Sequence, residues 1–264
     1  MFSEPNVTLW GVTVSSVTLA ALIGLIAAAA LSVWLLRGRV PALRVLDVTL
    51  AAAFGAVIGG RALYVLTSWP DFSASPGDIL RLTVGGLDWH GAVIGAIVAA
   101  WIACRWRAVL FERAATVGAL VLPVLMILLW QGCGGWGCAY GREVDSLAGY
   151  PALLVAERRD LFGLTAPRYD TPTLGALWGV LLIVIAAALN LFTRWTGTRR
   201  LGLMITLSCL GMFILGFVRG DTAPILAGLR VDQWFDLGLC ILAAVVLAII
   251  ESRRWHNARR ERAV

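Results

Sequence analysis

Seven long apolar runs, separated by polar breaks, organise this sequence: approximately Val12–Leu36, Leu46–Ser68, Leu87–Cys104, Ala115–Gln131, Leu174–Phe192, Leu201–Val218 and Trp234–Ile250. A helix needs roughly 20 mainly apolar residues to cross a bilayer, so each run predicts a transmembrane helix. The fourth is expected to end in a re-entrant turn, because Gly132-Cys-Gly-Gly135 weakens a helix. The first does not read as a cleaved signal peptide: Glu4 is the only charge before it, and the run is too long for an h-region. Three polar stretches are long, Trp69–Gly86, Gly132–Thr173 and Arg219–Gln233, and loops of that length are usually functional or disordered. The middle one carries glycines, Tyr150-Pro151 and the mixed charges Glu157-Arg-Arg-Asp160, which predicts a partly structured cap. The pattern implies an all-α polytopic membrane protein of about seven transmembrane helices. It reads as one integral-membrane domain over 1–264, with an outward-facing loop or cap at 132–173 and a basic cytoplasmic tail at 251–264. Internal repeats, coiled-coil heptads and low-complexity tracts are absent from the pattern.

Composition agrees, with 59% of residues hydrophobic and 14% charged, against about 45–50% and about 25% in soluble domains. The net charge of +6 comes entirely from arginine, since the chain has no lysine. Charge of that size supports nucleic-acid binding only when it forms one patch, and here it falls in short clusters between apolar runs. Fourteen arginines follow the first, third, fifth and seventh runs, where only Asp47, Glu112, Glu251 and Glu261 oppose them. The positive-inside bias therefore predicts an outside N-terminus and a cytoplasmic C-terminus, which an odd number of spans satisfies. Tryptophans near the run ends, such as Trp10, Trp69 and Trp234, fit an interfacial belt. The tail Arg253–Arg262 reads as an anchor on anionic lipid. Five cysteines make no metal signature, and Cys133 and Cys138 are spaced C-x4-C. They read as small apolar residues in or near helices, or as a Cys133–Cys138 disulfide on an oxidising face.

Several polar groups sit too deep to ignore. Arg61 lies seven residues before Ser68, the end of the second run, which at helical rise is about 10 Å into the membrane. An arginine there is costly unless it is paired, faces water or snorkels to headgroups. Gly59 and Gly60 beside it let another group approach the backbone. His90, one of two histidines, follows Asp88 about one turn inside the outer end of the third run. A lone histidine at an interface is commonly a hydrogen-bonded anchor, but Gly91 and Gly95 follow at G-x-x-x-G spacing, which packs helices closely. Arg142, Arg219 and Asp221 map to the same outer side. Three guanidiniums and an imidazole there predict an outward-opening cavity that grips a phosphate and offers a general base. The phosphate available at that depth is a lipid headgroup. A coupled transporter fits less well, for lack of an inverted repeat or a mid-membrane carboxylate.

These residues fall into motifs. Gly85-Gly-Leu-Asp-Trp-His-Gly-Ala-Val-Ile-Gly-Ala96 resembles the histidine motif of prolipoprotein diacylglyceryl transferases, G-G-L-S-F-H-G-G-x-I-G-A. Gly59-Gly-Arg-Ala-Leu-Tyr-Val65 is similar to that family's G-A-R-L-G-Y-V. Gly132-Cys133 and Gly137-Cys-Ala-Tyr-Gly-Arg142 fit its signature G-R-I-G-C-F-x-N-G-C-C-Y-G-R without a gap. Tyr169-Asp-Thr-Pro-Thr-Leu174 resembles R-H-P-T-Q-L, and Phe213-Ile-Leu-Gly-Phe-Val-Arg-Gly-Asp221 resembles F-x-x-E-F-x-R-G-D, with Gln233 at a late family glutamine. Order and spacing are kept over nearly the whole chain.

The resemblance implies transfer of the diacylglyceryl group of phosphatidylglycerol to the thiol of a lipobox cysteine in a preprolipoprotein signal peptide. The implied setting is the outer leaflet of a bacterial plasma membrane, in contact with membrane lipid, with no cofactor, metal or nucleic acid. His90 is then the expected catalytic residue, and Arg61, Arg142, Arg219, Asp221, Gly91 and Asp88 the expected substrate-binding ones. The chain also departs from the pattern. The signature's first arginine falls on Trp130 and its asparagine on Trp136; a later arginine falls on Met212 and a glutamate on Gly216. The family's N-terminal W-Y-G falls on Ser16-Val-Thr18, and the histidine of H-P-T on Thr171. Two guanidiniums that the resemblance assigns to the lipid phosphate are thus replaced, and each preorganised donor is typically worth about 10²–10³ in rate. The alternative expectation is a catalytically impaired relative that binds lipid or lipoprotein without transfer.

Overall fold

The computed structural model describes residues 6–9, 12–82 and 86–262, with side chains for 14–82 and 86–252. Trp10, Gly85 and the side chains of the tail arginines lie outside the described residues. Eight helices are described: α1 (Ser16–Leu36), α2 (Ala42–Thr67), the short α3 (Trp69–Ser73), α4 (Trp89–Trp106), α5 (Phe111–Trp136), α6 (Thr171–Phe192), α7 (Gly197–Gly216) and α8 (Val231–Arg262). All but α3 are long and apolar enough to cross a membrane, α8 over Val231–Ser252. Each of the seven predicted runs falls on one of them, and the protein is a multi-pass, all-α membrane protein.

Five of the seven spanning helices begin a few residues earlier than the hydropathy pattern predicts, and charges near the starts of two of them are answered from elsewhere in the same unit. Asp47 near the start of α2 pairs with Arg107 after α4, and Arg199 near the start of α7 pairs with Glu251 of α8. Two expectations are corrected. Residues Val12–Ser15 are not helical: the alternating, β-branched Val-Thr-Val-Ser forms strand β2, antiparallel to β1 (Asn6–Leu9). Nor does a re-entrant turn form at 132–135, since α5 runs through to Trp136. Tertiary packing overrides propensity there. A Cβ on Gly132 would lie 2.8 Å from the Ala20 methyl, and one on Gly135 would lie 2.9 Å from Ser16 Oγ. Ser16 Oγ also donates to Gly132 O at 2.8 Å. The helix ends one residue later at Gly137, whose φ of +84° suits a glycine at a helix C-terminus.

The chain divides into two compact units, residues 27–117 and residues 1–26 with 118–264. In the first, α2 and α4 pack against each other through two glycine pairs. A Cβ on Gly55 would meet Gly95 O at 2.3 Å, and one on Gly59 would meet Gly91 O at 2.3 Å. Small residues four apart on both helices let the backbones touch, as membrane helix pairs require when no hydrophobic effect drives them together. In the second unit, Met126, Trp130, Ala176, Leu182, Met204 and Leu215 of α5, α6 and α7 form an apolar core. Trp178 Nε1 of α6 donates to Leu207 O of α7 at 3.0 Å.

Between α5 and α6 lies an antiparallel hairpin of β3 (Val155–Arg159) and β4 (Thr165–Tyr169). Residues 141–143 bridge between β4 and Arg219, so the chain after α5 is tied on both edges. Between α7 and α8 lies a two-residue hairpin of β5 (Ile225–Leu226) and β6 (Leu229–Arg230). Cys133 and Cys138 form a disulfide at the end of α5; Cys104 and Cys209 are free and buried, and Cys240 is free and half-buried.

Candidate active site

Helix α4 opens on Asp88, and that residue sets the local chemistry. Its carboxylate accepts the backbone N–H of His90 at 2.8 Å and of Gly91 at 3.0 Å, a side-chain cap on two otherwise orphaned donors. The same Oδ1 lies 3.2 Å from His90 Nδ1, with Oδ2 at 3.5 Å. Asp88 N donates to Gly60 O at 2.9 Å, which pins the α4 entrance to α2. Burial opposes the Asp88 charge, but hydrogen bonds from the His90 ring and the two amides outweigh it and hold the carboxyl below the usual carboxylate range. An ionised acceptor beside Nδ1 calls for a proton on that nitrogen. The basic lone pair of a neutral His90 ring then resides on Nε2. The ring is 1% exposed, and its centroid is 4.4 Å from that of Trp89. Gly91, expected beside substrate, is a packing residue here: a Cβ on it would meet Gly59 O at 2.3 Å and Leu63 Cβ at 2.6 Å.

Arg61, expected to meet a phosphate or carboxylate, grips main chain. Nε donates to Ile79 O at 2.8 Å, Nη1 to Gly86 O at 3.0 Å, and Nη2 to Asp78 O at 2.6 Å and Arg81 O at 3.0 Å. Its guanidinium also lies over the Phe72 ring at 5.0 Å. One buried cation thereby fastens the α2–α4 connection two residues before Asp88. Carbonyl dipoles and an aromatic face answer the cost of placing an arginine at this depth.

Arg142, Arg219 and Asp221 meet in the other unit. Arg142 N donates to Val218 O at 2.8 Å, Gly220 N donates to Tyr140 O at 2.8 Å, and Gly141 bridges Arg219. A Cβ on Gly220 would lie 2.7 Å from Gly141 O, and one on Gly141 would lie 2.1 Å from Tyr169 O, so each close approach needs its own glycine. Arg219 forks onto Asp221 through Nε and Nη2, and its Nη1 donates to Asp232 Oδ2 at 2.9 Å. Burial works against the Arg219 charge, yet Asp221, Asp232 and Asp236 raise its pKa above the ordinary arginine value. Its donors are thus already answered by carboxylates. Arg142 differs: its backbone is fixed on both edges, its side chain is exposed, and among the described residues it forms no ion pair.

Sequence reasoning missed the partners that complete these clusters. Arg230 Nε donates to Asp232 Oδ1 at 3.0 Å and Nη1 to Asp221 O at 2.7 Å, which makes a four-residue network of zero net charge. Arg158 forks onto Asp170, which caps α6 through the Thr173 amide. The alternation Arg230-Val-Asp232 at the mouth of the seventh run was the available signal. Two of the positions where family arginines are replaced lie in the second unit's apolar core. Trp130 packs its ring on Gly175, where a Cβ would lie 2.3 Å from ring atoms, and Met212 packs against the same cluster.

Fold and site together define a multi-pass membrane protein with a carboxylate-oriented histidine at the entrance of a glycine-packed helix pair. The sequence profile of the family described as prolipoprotein diacylglyceryl transferase matches residues 6–249. The chain belongs to that family. It is 32% identical over 235 residues to the phosphatidylglycerol–prolipoprotein diacylglyceryl transferase of Rhodococcus jostii (strain RHA1), covering 81% of this chain and 63% of the relative. It is 31% identical over 237 residues to the protein of the same name from Symbiobacterium thermophilum, covering 85% of each. The Bacillus velezensis protein of that name is 28% identical over 220 residues, covering 81% of this chain and 79% of the relative. The chain thus spans somewhat under two thirds of the Rhodococcus relative's length.

Proposed function

We propose that the protein transfers the diacylglyceryl group of phosphatidylglycerol to the thiol of a lipobox cysteine in a preprolipoprotein, at the outer leaflet of a bacterial plasma membrane. The supporting observation is Asp88, which holds His90 Nδ1 while capping α4. In this reading His90 Nε2 takes the thiol proton, since the thiolate is the nucleophile. The sulfur attacks the glycerol carbon that carries the phosphate ester. One S–C bond forms, one C–O bond breaks, and the departing glycerol phosphate keeps the electron pair and receives the proton from His90. Asp88 holds the ring in orientation and stabilises the imidazolium formed in passing, the role a carboxylate plays behind other catalytic histidines. Arg142, in the other unit, is a separate proposal as a phosphate-binding residue, because its fork is exposed on a fixed backbone. Arg61 and Arg219 act through the segments they organise. With Arg142 and the arginine-rich side opposite each other in the topology, the proposed orientation puts the N-terminus outside.

A second reading is favoured by the apolar environment of Trp130 and Met212 and by the neutral network around Arg219: a relative that holds phosphatidylglycerol without transferring from it. Expression in cells depleted of their own transferase, with lipoprotein modification followed by gel shift, separates the two. Rescue that is lost in His90→Ala supports transfer. Failure to rescue, with phosphatidylglycerol retained by the purified protein, selects the second reading.

A further inference from the structure

The hairpin between β3 and β4 turns through Leu161-Phe-Gly-Leu164, an unusual tip for a turn in water, where Gly, Asn, Asp and Ser dominate. Leu161, Phe162 and Leu164 are 58%, 62% and 65% exposed, so the hairpin itself does not cover them. The tip is nevertheless held in one shape. Asp160, 5% exposed, accepts the amides of Phe162 and Leu164 at 2.9 Å each through Oδ1, and its Oδ2 accepts Arg168 Nη2 at 3.0 Å. Gly163 takes a φ of +90° to close the turn. A buried ion pair at the base of an apolar tip presents that tip outward.

Position says what covers it. A Cβ on Gly137, the residue after α5, would lie 2.5 Å from Asp160 O, so the tip departs from van der Waals contact with the end of a membrane helix. The β5–β6 hairpin repeats the arrangement at the same end of its unit. Ile225 and Leu226 are 66% and 61% exposed, and Leu226 O accepts Trp234 Nε1 at 2.9 Å, from the first turn of α8. The bridge between Gly141 and Arg219 joins the segments that follow α5 and α7. A convex apolar tip offers no groove for a peptide, whereas the headgroup–acyl boundary beside a helix end covers such groups, as it covers interfacial aromatics.

We infer that Leu161, Phe162, Leu164, Ile225 and Leu226 are interfacial anchors that seat the two hairpins in the bilayer surface next to the helix ends. The lipid boundary is the partner, and the anchoring holds the connections that carry Arg142 and Arg219 against the membrane. This rests on the seven spans and not on the transfer reaction, so its failure leaves the proposed function standing.

The test uses the full-length protein in nanodiscs of phosphatidylcholine and phosphatidylglycerol, with the three free cysteines replaced by alanine. A nitroxide is attached at Phe162→Cys and, separately, at Leu226→Cys, with Glu157→Cys on the exposed strand as the aqueous reference. Collisions with oxygen and with a water-soluble nickel chelate are compared by power saturation. The two tip sites are expected to favour oxygen severalfold over the chelate, and Glu157→Cys the chelate. Chelate access at both tips equal to that at Glu157→Cys overturns the inference. So does a tip that is open to the chelate alone and becomes shielded from both reagents when a synthetic signal peptide is added, which identifies a peptide surface. Two independent tip sites keep the result decisive if one label disturbs its hairpin.

Discussion

Asparagine at position 88 separates the two jobs of Asp88. The carboxylate caps α4 through the His90 and Gly91 amides and faces His90 Nδ1 at 3.2 Å. Asparagine caps a helix about as well as aspartate, so Asp88→Asn keeps both amide bonds. It loses the favourable charge at the helix N-terminus, on the order of 0.3–1 kcal/mol, which at this chain length lowers Tm by a few degrees at most. The catalytic loss is much larger. A neutral amide neither stabilises the imidazolium nor enforces the Nδ1–H tautomer, and a carboxamide behind a catalytic histidine lowers kcat by up to about 10⁴ elsewhere. We expect a loss of about 10²–10⁴, which is roughly 3–5 kcal/mol of barrier. Asp88→Ala adds the loss of the cap, about 1 kcal/mol. The assay is the initial rate of label transfer from phosphatidylglycerol to a lipobox peptide in liposomes, alongside thermal unfolding of each variant. Near wild-type rates for Asp88→Asn, or rates that fall only in step with Tm across both variants, would show that the carboxylate is a helix cap and nothing more.

Four further outcomes follow from the geometry. Gly95→Ala places a methyl 2.1 Å from Gly55 O, so α2 and α4 must part; overpacking of this kind costs about 1–3 kcal/mol, measurable as a lower Tm in detergent. Arg61→Lys keeps the charge but loses the fork that holds the carbonyls of Asp78, Ile79, Arg81 and Gly86; limited trypsin digestion at Arg81 should accelerate in the variant, and an unchanged cleavage rate would contradict the clamp. Arg142→Gln should leave Tm unchanged while reducing the rate about 10²–10³-fold, with a silent substitution excluding it from phosphate binding. Acid stability is expected to depend on Asp88 and Asp170, whose carboxyls lie below their ordinary value of 3.8, burial being outweighed by the hydrogen bonds from His90 and from Arg158 and Thr173. Their contributions are complete above that value and fade as pH falls through the lower folded values, so Asp170→Asn should flatten the acid limb of an unfolding curve, while at neutral pH it lowers stability by a constant amount and leaves the pH dependence unchanged.

The seven spans were legible because a bilayer makes apolar length a nearly sufficient signal. What hydropathy misses are helix ends, such as the first turn of α7, where Arg199 is tolerated through Glu251 of α8, distant in sequence. Glycines were legible where spacing repeats, as at Gly91 and Gly95, and misleading at Gly132–Gly135, where close approach to Ser16 and Ala20 kept the helix going. His90 and Asp88 stood out because charge at a span entrance is rare. The work done by Arg61 and Arg219 did not: both look like free cations in a sequence, and only the folded chain reveals carbonyls around one and carboxylates around the other. Cys133 and Cys138 likewise left two readings open until the α5 end brought their Cα atoms to 4.7 Å.

The most direct test of the account is the rate at which purified protein in phosphatidylglycerol liposomes moves diacylglyceryl onto the cysteine of a synthetic lipobox peptide, compared between wild type and His90→Gln. Wild type is expected to give a thioether-linked product with release of glycerol phosphate. His90→Gln is expected to lose at least about two orders of magnitude, with phosphatidylglycerol binding retained in both. Equal turnover by His90→Gln would contradict the account.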